Sequence, residues 1–93
     1  MTELYSLAKR LEVDDRIILK AVKAEVENQT PKTVTSVQNR EDKVRVEVEG
    51  PQGGEYAFEV DRDGNHTAYH IHTDGNDEDR GPLGTVKLVW TSE

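Results

Sequence analysis

Three histidines, His66, His70 and His72, are the only imidazoles in the chain, and they lie close together with even spacing. Imidazole nitrogens combined with carboxylate oxygens form the donor set that Zn²⁺, Ni²⁺ and Cu²⁺ favour. On a β-strand, residues of equal parity share a face, so these three project away from Tyr69 and Ile71. A tight hairpin with Asp63 and Gly64 as its two loop residues would set Glu55 across from His72 and Asp61 across from His66. The candidate metal ligands are therefore His66, His70, His72, Glu55 and Asp61, on the solvent-facing side of the sheet. His70 and His72 would stand roughly 7 Å apart at the usual strand rise, which is wide for one ion. The same imidazole–carboxylate pairing could instead form a pH-sensing surface, because histidine titrates near neutrality.

Other chemistries find less support. The acidic segment 74–81 alternates Asp74, Asn76 and Glu78, but the sixth and twelfth places of a calcium loop are filled by Asp79 and Thr85 instead of Gly and Glu. It reads as a turn and a charged connection. Ser6, Ser36 and Ser92 sit in no elbow-type motif, and Gly53–Gly54–Glu55 lacks the Lys and Ser or Thr of a phosphate loop. With no cysteine, thiolate ligands, disulfides and a cysteine nucleophile are all excluded. The expectation is a non-enzymatic protein with no catalytic residue and no cofactor.

The elements that would position these groups follow from periodicity. Apolar residues at 4, 7, 8 and 11 and again at 17, 18, 21 and 22 recur at helical spacing, which predicts helices over roughly 2–11 and 14–27. Asp14 would cap the second, with Asp15 in its first turn complementing the helix dipole. After residue 31 the period changes to two: Val44, Val46 and Val48, then Tyr56, Phe58 and Val60, then Tyr69 and Ile71, then Val86, Leu88 and Trp90. A fifth strand over 33–38 has Val34 and Val37 out of phase. The first hairpin register places Val48 beside Tyr56, Val46 beside Phe58 and Val44 beside Val60. Arg45 then meets Glu59, and Lys43 meets Asp61, on the other face. The expected fold is α+β: two N-terminal helices packed on one face of a four- or five-stranded antiparallel meander sheet. It forms a single domain over 1–93, with a helical part at 1–29 and a sheet part at 32–93.

In the helical part, Leu7, Ala8, Val13, Ile18 and Ala21 occupy the buried positions of a helix pair with a tight corner. Over residues 4–23 the chain resembles helix-turn-helix modules, and it is similar to the N-terminal helical subdomain of bacterial translation initiation factor two. It departs from the pattern at Glu12, where the corner usually holds Gly. The resemblance implies that Arg16, Leu19, Lys20 and Lys23 face outward as a partner-binding surface.

Charge ranks the partners. Nineteen acids against twelve Lys and Arg give a net charge of −7. Residues 1–31 carry five bases and six acids, so the negative field belongs to the sheet part. Nucleic-acid affinity rests on phosphate neutralisation, so this balance disfavours it and favours a protein partner. Charges at Glu3, Lys9, Arg10 and Glu12 interrupt any secretory apolar run, and no stretch reaches membrane-spanning length. The expectation is a cytoplasmic monomer or weak homodimer, serving as an interaction or regulatory module.

Overall fold

The computed structural model describes residues 3–21, 31–49 and 55–91. Within them the chain runs α1 (Glu3–Arg10), β1 (Arg16–Ala21), β2 (Lys32–Asn39), β3 (Lys43–Glu49), β4 (Glu55–Asp61), β5 (His66–Ile71), β6 (Asp77–Asp79) and β7 (Leu83–Trp90). The strands form one antiparallel sheet in the order β6-β5-β4-β3-β2-β1-β7. This overturns the expected pair of helices on a four- or five-stranded meander: the described residues hold one short helix and seven strands.

Helix α1 forms where the 3.6-residue pattern predicted it. Tyr5, Ala8 and Leu11 are buried, Leu4 and Leu7 pack beside them, and the helix lies against β3 and β4. Lys9 and Arg10 occupy its last turn, where cations complement the dipole. The second expected helix is the main correction. Residues 16–21 are strand β1, with Ile17 and Leu19 buried and Arg16 exposed, an alternation of period two. The remainder of the expected helix, 22–27, lies outside the described residues. An apolar run as short as Ile17–Ile18–Leu19 fits either period, and adjacent β-branched isoleucines favour the strand. Asp14 does not cap a helix. It adopts φ 80°, and its N–H donates to the Val34 carbonyl at 2.8 Å, which starts the β1–β2 pairing. Asp15 is buried and accepts the Glu12 N–H at 2.9 Å, closing the corner from within.

The first hairpin has the expected register, with Val44, Val46 and Val48 opposite Val60, Phe58 and Tyr56. These valines, Phe58 and Val60 are almost fully buried. The out-of-phase valines of β2 have a simple cause. A register shift between Val34 and Ser36 leaves Thr35 unpaired, so Val34 opposes Val48 and Val37 opposes Val46, both toward the core.

The β4–β5 hairpin differs from expectation by one residue. Its loop runs through Arg62–Asn65, closed by the Asp61 N–H to the Asn65 carbonyl at 2.9 Å. The Asp61 carboxylate accepts the backbone N–H groups of Asp63 and Asn65, both at 2.9 Å. Val60 therefore faces His66, Phe58 faces Ala68, and Tyr56 faces His70. Because strand side chains alternate, this single step moves His66 and His70 onto the inner, apolar face of the sheet. Tyr69 goes to the outer face beside Arg45.

The sheet curls until its ends meet. A flat seven-stranded sheet would separate its outermost strands by roughly 29 Å. Only four residue steps lead from Asp79 in β6 to Leu83 in β7, at most about 14 Å of chain. Ala68 closes the gap: it accepts from the Arg80 N–H and donates to the Gly81 carbonyl, both at 2.8 Å. Two residues thus oppose one, a bulge made possible by Gly81 at φ 83°.

Candidate metal centre

The β5–β6 hairpin builds the site. Its turn is Asp74–Gly75–Asn76, with Gly75 at φ 90°. The His72 N–H donates to the Asn76 carbonyl, and the Gly75 N–H donates to the His72 carbonyl, both at 2.9 Å. The Asp74 carboxylate accepts the Asn76 N–H at 3.0 Å and the Asn76 side-chain amide at 3.0 Å. The backbone donor of Asn76 is the main reason the Asp74 carboxyl is held below its ordinary range. This turn sets His70 directly opposite Glu78.

His72 lies one residue beyond the end of β5, so strand spacing no longer separates it from His70. Their ring centroids are 4.6 Å apart at 56°. One ligand atom each from His70, His72 and Glu78 all fall within 4.8 Å of one another. Donors on a tetrahedral Zn²⁺ stand roughly 3.3 Å apart, so modest side-chain rotation would bring the three onto one ion. His70 is half-buried, whereas His72 and Glu78 are exposed, which leaves further coordination positions open to water or a partner.

Neighbouring groups hold the three in place. The Tyr56 ring stacks on His70 at 5.0 Å and 26°. Arg80 donates to Glu78 Oε2 at 2.7 Å, while Glu78 Oε1 meets His72 Nε2 at 2.9 Å. Arg80 first, and His72 second, lower the Glu78 carboxyl below its ordinary value and keep it ionised. A carboxylate already ionised and oriented needs no proton release to bind a cation.

The other sequence candidates are placed elsewhere. His66 Nδ1 accepts the Leu83 N–H at 3.0 Å, so this ring fastens the start of β7 to β5. Glu55 faces Ile71 on the outer face instead of His72. Asp61 is committed to its own turn: burial raises its pKa, but the donors of Asn65 and Asp63 outweigh this and lower it. Glu78 is not among the histidine-face candidates, because segment 74–81 reads from sequence as a turn and a charged connection. The signal was present, since Asp-Gly-Asn stands both at 63–65 and at 74–76, and a hairpin centred on the second copy pairs His70 with Glu78.

Of the expected partner surface, only Arg16, Leu19 and the backbone of Lys20 lie within the described residues. Arg16 is exposed, with its guanidinium 5.1 Å from the Trp90 ring centre. Leu19 is buried in the core, contrary to its expected outward position. Lys20 pairs in β1 with Thr85 of β7, and Lys23 lies outside the described residues.

On the outer face, Arg45 donates to Glu47 at 2.9 Å, Glu59 at 2.9 Å and Asp77 at 3.1 Å, linking β3, β4 and β6. Lys43 sits opposite Asp61 in register, yet its ammonium meets Glu59 at 3.1 Å. Burial tends to raise the Glu59 pKa, but hydrogen bonds from Arg45 and Lys43 prevail and lower it.

No helix among the described residues is long and apolar enough to cross a membrane. Compared with known proteins, the chain matches no family model, no curated protein and no solved structure.

Proposed function

We propose that this protein is a small, non-enzymatic binding domain that takes up a divalent transition metal through His70, His72 and Glu78. The supporting observation is the convergence of two imidazoles and one carboxylate within 4.8 Å on a single hairpin. Two nitrogens and one oxygen suit Zn²⁺, with Ni²⁺ and Cu²⁺ as chemical competitors, and do not suit calcium, which takes oxygen donors. Tyr56 and Arg80 act as positioning residues for His70 and Glu78. The acidic balance of the chain favours a protein over nucleic acid as a further partner. A cytoplasmic setting belongs to the same proposal.

Metal that binds only the folded state stabilises it by mass action, by about 2.7 kcal/mol at a hundredfold excess over Kd. For a chain of this size, that raises the melting temperature by roughly 10 °C or more. Thermal unfolding with added Zn²⁺ is expected to show this rise in the native chain, and little or none in His70→Ala or Glu78→Gln. An equal rise in the His70→Ala, His72→Ala double variant, or no rise at millimolar Zn²⁺, would refute the assignment.

A further inference from the structure

The two ends of the sheet are unlike. β6 is three residues long and wholly acidic, Asp77–Glu78–Asp79, the kind of edge that repels a second strand. β7 is eight residues long with one charge, Lys87. It pairs with β1 on one side only. Beyond Leu83, where the link to β5 ends, no described residue pairs with its other side. Its second half is also exposed and apolar: Leu88 is 37%, Val89 48% and Trp90 48% accessible. A groove of about 270 Å³ opens beside this half, walled by Leu7, Leu11 and Leu88.

We infer that β7 is an interface between two copies of this chain, paired antiparallel edge to edge about a two-fold axis. The charges on the page select this occupant. Each copy carries −7, and most of the negative charge lies in the sheet part. Around β7, however, the acids Glu12 and Asp15 are matched by Arg10, Arg16 and Lys87, so two copies that meet here meet at nearly neutral surfaces. A two-fold interface must complement itself. With the axis at Leu88, Lys87 of each copy faces Val89 of the other, and Val86 faces Trp90. No like charges are opposed, and the open backbone groups gain partners. A basic foreign strand would gain little from so neutral an edge, and the β6 edge of another copy is short and opens onto the β5–β6 hairpin.

Sedimentation of the full chain over a wide concentration range tests this. A monomer–dimer equilibrium is expected. Dimerisation should tighten between about 0.01 M and about 1 M salt, as the Debye length falls from about 30 Å to about 3 Å and screens the repulsion between two acidic chains. Val89→Lys sets a second ammonium across from Lys87 of the other copy, so the dimer should weaken by ~10-fold or more. Val89 is exposed, and unchanged circular dichroism would show that the variant folds. In the native chain, amide exchange at Lys87–Trp90 should slow as concentration rises. A chain monomeric at every concentration and salt, assemblies growing beyond the dimer, or a Val89→Lys variant that folds and still dimerises would each overturn the inference. None of these outcomes bears on His70, His72 or Glu78.

Discussion

Lys32 shows what a single side chain can cost. It is 4% exposed, lies across from the fully buried Ile17, and its Nζ has no hydrogen-bond partner among the described residues. The Tyr56 ring, 5.6 Å away, offers only a cation–π contact. Burial pushes the amine below its ordinary value of 10.5. Between the folded value and 10.5 the unfolded chain binds more protons, so stability rises with pH across that window. Lys32→Met keeps the length and removes the unpartnered amine. It is expected to stabilise the fold by about 1–2 kcal/mol near neutral pH and to flatten the alkaline rise, measured by urea unfolding at several pH values. Nothing in the sequence distinguished Lys32 from a surface lysine, because its burial follows from where the Thr35 bulge sets the phase of β2. His70 and His72 were legible as candidates from residue type, but strand spacing sets them roughly 7 Å apart, and their approach depends on His72 lying beyond the end of β5. The third member was not legible, since Glu78 becomes a neighbour only through a turn.

Hairpins decide which chemistry assembles. In β3–β4, alternating valines on one strand and Tyr56, Phe58 and Val60 on the other leave one register that turns every one of them toward the core, and the sequence was sufficient. In β4–β5, both a two-residue loop and the longer Arg62–Asn65 loop are compatible with the residues. The choice rests on the Asp61 carboxylate gathering two backbone donors, a preference that periodicity does not reveal. β1 differs from the expected helix for a related reason, since six residues are too few to separate a helical period from a strand period. The β5–β6 turn admits a direct test. Gly75 has φ 90°, and a Cβ built there meets nothing within 4 Å, so Gly75→Ala adds backbone strain without a clash. A loss of about 1 kcal/mol in stability is expected, accompanied by weaker Zn²⁺ binding because the turn aligns His72 with Glu78. Denaturant midpoints and calorimetry read the two effects separately.

At the scale of the whole molecule, net charge and the Arg45–Glu59 pair were legible, but the convergence of Glu47 and Asp77 on the same guanidinium was not. Three of the thirteen acids of the sheet part, Glu47, Glu59 and Asp77, converge on Arg45, and Lys43 adds to Glu59. Arg45 is pulled down by burial, but its three carboxylate partners prevail and raise it above the ordinary arginine value. Glu59 is lowered from 4.5, so in acid the unfolded chain takes up the proton first. The network's contribution is therefore present above about pH 4.5 and is lost as pH falls toward the folded value. Thermal unfolding from pH 7 to pH 3 should show this loss, and Arg45→Gln should shallow it. The curled sheet, closed by the Ala68–Gly81 pairing, then holds the β5–β6 hairpin as part of the fold instead of as a free appendage. That placement underlies the assignment of His70, His72 and Glu78 as a metal centre, and imidazole-nitrogen NMR during a Zn²⁺ titration tests it most directly. If the assignment holds, the His70 and His72 ring nitrogens shift together and saturate at one equivalent, while His66, bound to the Leu83 N–H, does not follow. Equal shifts at all three histidines, or none at saturating Zn²⁺, would contradict it.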